Sequence, residues 1–508
     1  MSQSIARTTL GIQPQSPLRR RLVPAPLLML VVALALRLAA IVTLPTPTDR
    51  PSTYEHGAIA ENLLAGRGFS VWFLGSEGPT SQQAPWVPLV LAGCYGLFGI
   101  GTPAALYAYQ LLQCAAGVAL VAAVWQLARH FDLHQSGVAQ VAGWAAALYP
   151  PHIYMATHVQ AAPWAALGVV GILALVCNPT ARVTWRRAAA AGALGGWLLL
   201  VDPITALVLP VALLKLLLTA RSQAKQQTDP RPTIDRRWAT FAAFSAAVLV
   251  VIAPWLVRNY RVHGEFVFIK SSFGYALWQG NNSLSHGTDK VPKASVAAIA
   301  ADHDGSLASQ NNALWEARHE TLYIDDVLLK PDGYREFHGL SEPDRSRLLG
   351  RRAEAWIAAH PIAYAQLCFQ RLRYFLLWDA TNPKATHPLY RLSSVAWLTL
   401  ACIGLASARQ HLPVLWPTVV PAVGIMLFHT LTITSARFRI PVEPLGFVWA
   451  AVGFQPAAAN IARRIGSAWR AALHSDEAAP SAEHNQRHAL RGPHHAKTSK
   501  SSRRAGRR

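Results

Sequence analysis

Charged residues are scarce in this chain. They make up 14% of its 508 residues, against roughly 25% in an ordinary soluble domain. Hydrophobic residues make up 52%, and apolar runs bounded by Arg, Lys, Pro or Gly recur along most of the length. Several runs approach the ~20 residues that a helix needs to cross a bilayer. The composition therefore argues against a soluble protein and predicts an all-α polytopic membrane protein.

Paired cysteines and metal-binding motifs are also lacking. The five cysteines show no paired spacing, and four lie in or at the ends of apolar runs. That placement is typical of packing, and not of disulfides or metal ligands. The 19 histidines form no HExxH motif, and no CxxC pair accompanies them. The sequence therefore predicts no metal site.

Acidic residues are few, since 26 Asp and Glu stand against 47 Lys and Arg and leave a net charge of +21. Such a charge can indicate nucleic-acid binding, but the basic residues cluster in the tail and in short loops between apolar runs. This distribution follows the positive-inside rule. We therefore expect membrane lipids, and no nucleic acid, as partners. The basic stretch 475–508 is predicted to be disordered and cytoplasmic, where it would be attracted to anionic lipid.

Eleven apolar segments are candidate membrane spans. They are 23–45, 85–100, 104–128, 137–151, 161–177, 187–201, 203–220, 238–257, 392–408, 412–433 and 440–457. The segment 85–100 is short and begins with Pro85-Trp86-Val87-Pro88. If this segment lies half-inserted at the outer face, every strongly basic loop falls on the cytoplasmic side. The sequence thus predicts about ten transmembrane helices together with juxtamembrane helices at the outer face.

These spans predict five parts of the chain. They are a basic cytoplasmic segment 1–22, a membrane bundle 23–257 with a first outer loop 46–103, a large outer loop domain 258–391, C-terminal spans 392–457 and a basic cytoplasmic tail 458–508. The outer domain is of mixed polarity and is predicted to contain amphipathic helices over 344–359 and 361–378. A polar domain attached to one face of a helical bundle indicates that the protein acts at that face.

Residues 53–70 predict a short acidic helix directly after the first span. Glu55 lies at its N-terminal end and allows two interpretations. With Ser52 it matches a capping box, in which the Glu side chain returns to the N-cap amide. Alternatively, a carboxylate fixed at the water–lipid boundary can deprotonate a hydroxyl that arrives from the aqueous side. Asp49 is the second candidate acid, whereas Glu61 lies further along the helix and can simply face water.

Four stretches occur in the order found in one known family. They are Tyr54-Glu55 to Ser70, Pro79-Thr80 with Pro85 to Pro88, Pro254-Trp255-Leu256-Val257-Arg258-Asn259-Tyr260 with Leu277 to Asn282, and Arg437-Phe438-Arg439-Ile440-Pro441. Together they resemble bacterial GT-C glycosyltransferases, in particular the protein-mannosyltransferase-like branch, glycosyltransferase family 39. The matches run over residues 54 to about 450. Relatives often carry an acidic pair in the first outer loop, whereas Glu55 is single here and Asp49 lies upstream.

The resemblance implies transfer of a sugar from a polyprenyl-phosphate donor to an acceptor hydroxyl, with inversion, at the periplasmic face of a bacterial inner membrane. Direct displacement needs a base, for which Glu55 is the candidate, with Asp49 as the second catalytic acid. It also needs a cation that holds the departing phosphate. The sugar stays open, as does the acceptor, which can be lipid, polysaccharide or protein. No cofactor is implied, although a divalent cation remains an open alternative.

Four arginines near the outer ends of predicted spans are candidates for binding the donor phosphate: Arg258, Arg261, Arg437 and Arg439. A planar guanidinium group donates paired hydrogen bonds and stays charged at any working pH. The alternative for each is a lipid-headgroup anchor or a snorkelling side chain. Arg37, inside the first span, is expected to face the bundle or to snorkel.

Trp86, Trp278, Asn281 and Asn282 are candidates for binding the sugar or the acceptor. The alternative is an interfacial aromatic belt for the two tryptophans and a turn for the two asparagines. The rival function is a transporter or flippase of a lipid-linked or small anionic substrate. A transporter predicts broken helices at the bilayer midplane and repeated halves, neither of which the sequence indicates.

Overall fold

The computed structural model describes residues 25–47, 53–132, 137–226 and 233–455. The predictions made for Asp49, Ser52, the segment 1–22 and the tail 458–508 therefore lie outside the described residues. The domain boundaries predicted from the sequence stay predictions.

Regular structure in this part of the chain is nearly all helical. The helices are α1 (Ala25–Thr43), α2 (Tyr54–Leu64), α3 (Trp86–Phe98), α4 (Pro103–Arg129), α5 (Val138–Leu148), α6 (Pro150–Tyr154), α7 (Ala162–Val176), α8 (Trp185–Val201), α9 (Val208–Gln226), α10 (Thr233–His263), α11 (Phe273–Gly280), α12 (Ala294–Ala301), α13 (Leu307–His319), α14 (Ile324–Leu328), α15 (Glu342–Ala359), α16 (Pro361–Leu376), α17 (Pro388–Ser407), α18 (Leu412–Leu431) and α19 (Glu443–Gly453). The strands form two antiparallel pairs. The strands β1 (Ser70–Phe73) and β2 (Ser76–Pro79) form a hairpin, whereas β3 (Lys290–Val291) pairs with β4 (Leu322–Tyr323) across the intervening helices α12 and α13.

Six stretches of the described chain are long and apolar enough to cross a membrane. They are Pro26–Thr43, Pro103–Arg129, Thr205–Ala224, Arg236–His263, Pro388–Ser407 and Arg409–Leu431. The other four predicted spans correspond to α5, α7, α8 and α19, with 11, 15, 17 and 11 residues. At ~1.5 Å per residue, these helices are shorter than the ~30 Å hydrocarbon layer and need flanking residues to cross it. The predicted helical, multi-pass fold class is confirmed.

The helix α1 shows how such a span is divided between lipid and protein. Met29 and Ala33 are fully buried on one side of the helix. The other side leaves large apolar side chains exposed, namely Leu27, Leu28, Val31, Leu34, Leu38 and Val42. An apolar stripe of this length is unfavourable in water, and lipid is the environment that suits it.

Arg37 lies on the buried side of α1 and is only 1% exposed. Its Nη1 atom donates a hydrogen bond to the Ala33 carbonyl at 2.9 Å. Gly117 of α4 makes room for the guanidinium group, because a Cβ at that position would lie 2.5 Å from Arg37 Nε. Of the two positions expected for Arg37, facing the bundle or snorkelling, the structure shows the first.

The first outer loop packs as two helices and a hairpin. Ala60 of α2 belongs to one buried cluster with Val87 and Leu91 of α3. The helix α3 has 13 residues, so its length of ~20 Å is too short to cross a bilayer unaided. The turn between β1 and β2 places Leu74 and Gly75 at φ angles of 48° and 89°, as a tight hairpin turn requires.

The large outer region joins this loop through a second buried cluster. Phe69 and Phe73 of the hairpin pack with Trp278, Ile324 and Leu349. The amphipathic helices predicted over 344–359 and 361–378 are α15 and α16. The first outer loop and the large outer region are therefore packed against one another, which brings segments far apart in sequence to one place.

Candidate active site

A cavity of about 930 Å³ lies at one end of the helical bundle. Its wall is built from residues 54–56, 82–87, 160–162, 201–207, 268–279, 289, 318–326 and 428–441, with gaps within these ranges. Leu207 stands near the start of one candidate span and Phe428 near the end of another, so the cavity adjoins the membrane part of the protein. Its volume is within the range of small-molecule sites.

Glu55 enters the cavity wall from the first turn of α2. The preceding residue, Tyr54, has a φ angle of 55°, a left-handed conformation that is uncommon outside glycine and often marks functional sites. The Glu55 side chain is half-buried, and no hydrogen bond or ion pair joins it to another described residue. A carboxylate that is free of protein partners can accept a proton from a substrate.

Arg318 connects the first turn of α2 to the outer region. Its guanidinium carbon lies 4.9 Å from the ring centre of Tyr54 and 5.3 Å from that of Tyr323. The same group donates a hydrogen bond to the Tyr323 hydroxyl. All three residues line the cavity. These cation–π contacts support the backbone conformation from which Glu55 enters the wall.

Besides Arg318, two cations share the wall with Glu55. Lys270 follows α10 by seven residues, and its ammonium group lies 3.5 Å from Gln83 Oε1, at the outer limit of a hydrogen bond. Arg437 Nη1 donates to Gln160 Oε1 at 3.3 Å. Burial lowers the pKa of Lys270, while Asp202 and Glu55 oppose that shift and Arg437 adds to it. An anion that enters the cavity would therefore favour the charged form of Lys270.

Another part of the wall is acidic. Gln279 Nε2 donates to the Tyr275 hydroxyl at 2.7 Å and lies 3.5 Å from Asp325 Oδ1. Burial raises the pKa of Asp325, and Asp326 adds to the shift. Burial, followed by the carboxylates of Asp325 and Glu55, holds the pKa of Tyr275 well above its ordinary value. The Tyr275 phenol therefore stays protonated and can donate a hydrogen bond to a substrate.

Apolar side chains form a third part of the wall. Leu207, Phe268 and Phe273 line the cavity although they are 39%, 48% and 56% exposed. The Phe273 ring lies 6.2 Å from the ring of Phe428 in α18. The wall of the cavity thus has a basic part, an acidic part and an open apolar part beside two spans. Such a cavity can hold an amphiphile, with its polar group inside and its chain in lipid.

His56 is 8% exposed, and its buried Nδ1 atom has no hydrogen-bond partner among the described residues. Burial, with Arg437 and Lys270 nearby, lowers the pKa of His56 from 6.5 to about 3. Neutral His56 is therefore the form that the folded protein contains at neutral pH. It lines the cavity beside Glu55 without adding a charge.

Acid is expected to destabilise the folded protein through His56. The unfolded chain binds this proton near pH 6.5, whereas the folded protein binds it only near pH 3, so the stability is complete above pH 6.5 and is lost as the pH falls towards 3. Unfolding midpoints in mild detergent should fall between pH ~7.5 and ~5.

His56→Gln should flatten this pH dependence, because glutamine does not titrate. The matched control is His338→Gln, at an exposed histidine of the outer region, which should keep the wild-type slope. An unaltered slope in His56→Gln would show that other groups cause the acid sensitivity.

The structure separates the four predicted arginines. Arg437 lines the cavity with Glu55, whereas Arg258, Arg261 and Arg439 are not among the lining residues. Arg261 is exposed. The phosphate-binding role of all four stays a prediction, but Arg437 alone among them shares a wall with the candidate base.

The Arg258 guanidinium group donates hydrogen bonds to other parts of the protein. Its Nη1 atom donates to the Thr80 carbonyl at 2.6 Å and to Ser81 Oγ at 3.0 Å, and its Nη2 atom donates to the Phe69 carbonyl at 2.8 Å. The guanidinium group also lies over the Trp255 ring at 4.9 Å. These hydrogen bonds hold the first outer loop against the end of α10.

Arg439 is only 1% exposed, and an ion pair with Glu443 fixes it at 2.7 Å. Its other donors meet the carbonyls of Leu376 and Leu377, at 2.6 and 2.8 Å, and Ser394 Oγ at 2.7 Å. Every guanidinium nitrogen therefore has a protein acceptor. These contacts describe a structural role in the packing of α16, α17 and α19.

The four predicted sugar- or acceptor-binding residues also contact protein. Trp86 packs edge-on against Trp164 and Trp197, and Trp278 is 5% exposed. Asn281 Nδ2 donates to the Leu277 carbonyl, and Asn282 Nδ2 donates to the Trp278 carbonyl, each at 2.8 Å. None of the four lines the cavity, so their binding roles stay predictions.

Within the described ranges, no group of three or more His, Cys, Asp or Glu side chains is arranged to hold a metal ion. Asp49 is outside those ranges.

Known proteins offer a limited comparison. No protein-family model and no curated protein sequence matches this chain. Among solved structures, the oligosaccharyltransferase AglB of Archaeoglobus fulgidus, in complex with an inhibitory peptide and a dolichol-phosphate, is 12% identical with a TM-score of 0.45. The match covers 89% of this chain and 52% of AglB. The chain thus spans about half the length of that enzyme.

ArnT from Cupriavidus metallidurans, bound to undecaprenyl phosphate, is 16% identical with a TM-score of 0.38. The match covers 85% of this chain and 77% of ArnT. At these identities and TM-scores the similarity assigns no activity, substrate or family. The functional interpretation of the cavity therefore depends on its own geometry.

Proposed function

We propose that this protein is a membrane glycosyltransferase that moves a sugar from a polyprenyl-phosphate donor to an acceptor hydroxyl, with inversion at the anomeric carbon. Glu55 is the general base, and Lys270 and Arg437 hold the donor phosphate. The protein lies in a bacterial inner membrane with its cavity on the periplasmic side. The acceptor is a lipid, polysaccharide or protein hydroxyl that enters from the water.

One observation supports this proposal most directly. Glu55, which has no hydrogen-bond or ion-pair partner among the described residues, lines a single cavity beside two candidate spans. The same cavity is lined by the cations Lys270, Arg318 and Arg437 and by an open apolar wall. A lipid-linked sugar phosphate needs each of these features, because its chain is apolar, its phosphate is anionic and its reaction needs a base. The sequence resemblance to GT-C enzymes supports the same reaction independently.

The chemical step is a displacement. A Glu55 carboxylate oxygen takes the proton of the acceptor hydroxyl while the acceptor oxygen forms a bond to the anomeric carbon. The bond between that carbon and the phosphate oxygen breaks, and its electron pair leaves with the phosphate. Lys270 and Arg437 stabilise the added negative charge, since cations placed where charge develops lower the barrier. The protonated Glu55 then loses its proton to water.

The proposal is tested by incubating the purified protein in lipid nanodiscs with a panel of radiolabelled polyprenyl-phosphate sugars. We expect one donor to be consumed, with label appearing in an acceptor fraction and free polyprenyl phosphate as the second product. Consumption of no donor across mannosyl, glucosyl, galactosyl and amino-sugar carriers would overturn the proposal. Movement of intact donor across liposomes without cleavage would favour the flippase alternative.

Replacing either cavity cation is expected to weaken donor use. Lys270→Met and Arg437→Met should each raise the donor KM about 10- to 100-fold, because each removes a charge-assisted hydrogen bond to phosphate. The measurement is initial rate against donor concentration in nanodiscs.

Arg261→Met is the control for these two variants, since Arg261 was predicted from the sequence but is exposed and away from the cavity wall. Its donor KM should stay near the wild-type value. A rise in KM for Arg261→Met with none for Arg437→Met would place the phosphate elsewhere.

A further inference from the structure

The backbone just before Lys270 is strained. Ile269 has a φ angle of 50°, in the left-handed region that a β-branched residue rarely occupies. The residue is also fully buried. Such a conformation persists only where surrounding contacts impose it, and it often lies at functional sites. Neighbouring side chains must therefore hold Ile269 in this conformation.

Two side chains of α10 hold the Ile269 carbonyl. Trp255 Nε1 donates to this oxygen at 2.9 Å, and Asn259 Nδ2 donates to it at 3.2 Å. Asn259 Nδ2 also contacts the Val267 carbonyl at 3.2 Å, so it spans both sides of the bend. Asn259 is 0% exposed, and its position is therefore well fixed by packing.

The same asparagine reaches the first outer loop. Its Oδ1 atom accepts from Ser81 Oγ at 2.8 Å and from Arg258 Nη1 at 3.1 Å. Thr80 and Ser81 are 0% exposed. The segment Trp255 to Asn259 belongs to one of the stretches that resemble GT-C enzymes. Its hydrogen bonds connect the strained bend to the loop that precedes the cavity residues Gln82 and Gln83.

Glu342 holds the residue that follows Lys270. Its Oε1 atom accepts from Ser271 Oγ at 2.5 Å and from the Ser81 amide at 2.7 Å, while its Oε2 atom accepts from Thr80 Oγ1 at 2.6 Å. Ser271 also donates its amide to the Ser81 carbonyl at 2.9 Å. Glu342 is the first residue of α15, where the helix dipole favours a carboxylate.

Lys270 therefore has a fixed backbone and a nearly free ammonium group. The residues on either side of it are held by Asn259 and Glu342. Among the described residues, its Nζ atom has one long hydrogen-bond contact, to Gln83 Oε1 at 3.5 Å. The side chain lines the cavity with Glu55 and Arg437. A charge that is fixed in place before the substrate arrives costs little reorganisation when it binds.

We propose that Asn259 and Glu342 are positioning residues that hold the strained Ile269–Ser271 backbone so that Lys270 enters the cavity at the donor phosphate. This inference rests on the proposed function, in which Lys270 binds that phosphate. In this role the side chains at the end of α10 position Lys270 and do not contact the donor directly. Arg258 belongs to the same assembly, through Thr80 and Ser81.

The test is a double-mutant cycle between Asn259 and Lys270, measured as donor KM in nanodiscs with the full chain. Asn259→Ala alone should raise the donor KM about tenfold, because the Lys270 ammonium group is no longer held at the donor phosphate. In the Lys270→Met background, Asn259→Ala should add nothing, since the group that it positions is already gone. The kcat at saturating donor should fall in the single variant no further than it does in Lys270→Met, because Lys270 also stabilises the departing phosphate.

A merely structural role predicts a different result. General destabilisation would add to the rise in donor KM caused by Lys270→Met, or lower the kcat of the double variant below that of Lys270→Met, and either outcome would overturn the proposal. An unchanged donor KM in Asn259→Ala would do the same. If Lys270→Met alone leaves the donor KM unaltered, the phosphate role of Lys270 in the proposed function fails, and the positioning role fails with it.

Glu342→Gln gives a second route if Asn259→Ala does not fold. Glutamine keeps the shape but removes the charge and one acceptor, so the donor KM should rise about threefold, again without further effect in Lys270→Met. The matched control is Glu336→Gln, whose carboxylate forms an exposed ion pair with Arg352 in the outer region. It should leave the donor KM unchanged. An equal rise in both glutamine variants would overturn the positioning role of Glu342.

Discussion

Glu55→Gln is expected to abolish sugar transfer, with a fall in kcat of about 10²- to 10⁴-fold. Glutamine has nearly the same shape as glutamate but cannot take the acceptor proton. The Glu55 side chain forms no hydrogen bond or ion pair with other described residues, so its replacement should leave the fold and the donor KM almost unchanged. The measurement is transfer rate at saturating donor, together with the unfolding midpoint of the same sample.

Glu61→Gln provides the matched control, because Glu61 lies on the same helix but is exposed. This variant should transfer sugar at the wild-type rate. Full activity of Glu55→Gln would show that Glu55 is not the base. The remaining interpretation would then be that Glu55 stabilises the N-terminus of α2. Asp49→Asn belongs in the same set, since Asp49 is the second acid predicted from the sequence.

Arg439→Met is expected to have the largest effect on stability. The substitution leaves Glu443, which is 1% exposed, as a buried carboxylate without its cation, and such a loss costs about 3–5 kcal/mol. Tyr149 and His152 also contact this carboxylate, at 3.0 and 2.9 Å, so the disturbance reaches the start of α6. Chemical unfolding in mild detergent measures the change.

Two further variants show whether the ion pair causes this effect. Arg439→Met with Glu443→Gln should recover part of the lost stability, because no buried charge is then left without a partner. Arg347→Met, at an exposed pair with Glu265, should cost at most about 1 kcal/mol. If Arg439→Met keeps the wild-type stability and raises only the donor KM, the phosphate-binding role predicted from the sequence is the correct one.

Some features of the site follow directly from local sequence. The apolar runs predicted the helices, and the acidic stretch after the first run predicted α2 with Glu55 at its start. These predictions succeed because hydrophobic length and helix termini depend on neighbouring residues. Arg437 was also predicted, from its place beside a span.

Lys270 was not predicted, although the chain offers a weak signal for it. It is a single cation that follows the apolar stretch Phe266 to Ile269, soon after the end of a span. Nothing in that spacing distinguishes it from a surface lysine. Its significance depends on the contacts that the next residue, Ser271, makes with residues 81 and 342, which are 190 and 71 positions away from Ser271, and on the backbone conformation of Ile269.

The sequence by itself determined that this protein is a multi-pass helical membrane protein, and it predicts a basic face with a polar region at the other end. Those properties depend on how many apolar residues follow one another and where charges interrupt them. The tertiary structure decided which charged side chains still have hydrogen-bond donors available for a substrate. Arg258, Arg437 and Arg439 look alike in the sequence, yet the carbonyls and carboxylates around Arg258 and Arg439 use their donors, while Arg437 reaches the cavity. Buried hydrogen-bond partners come from distant segments, so only the folded chain assigns them.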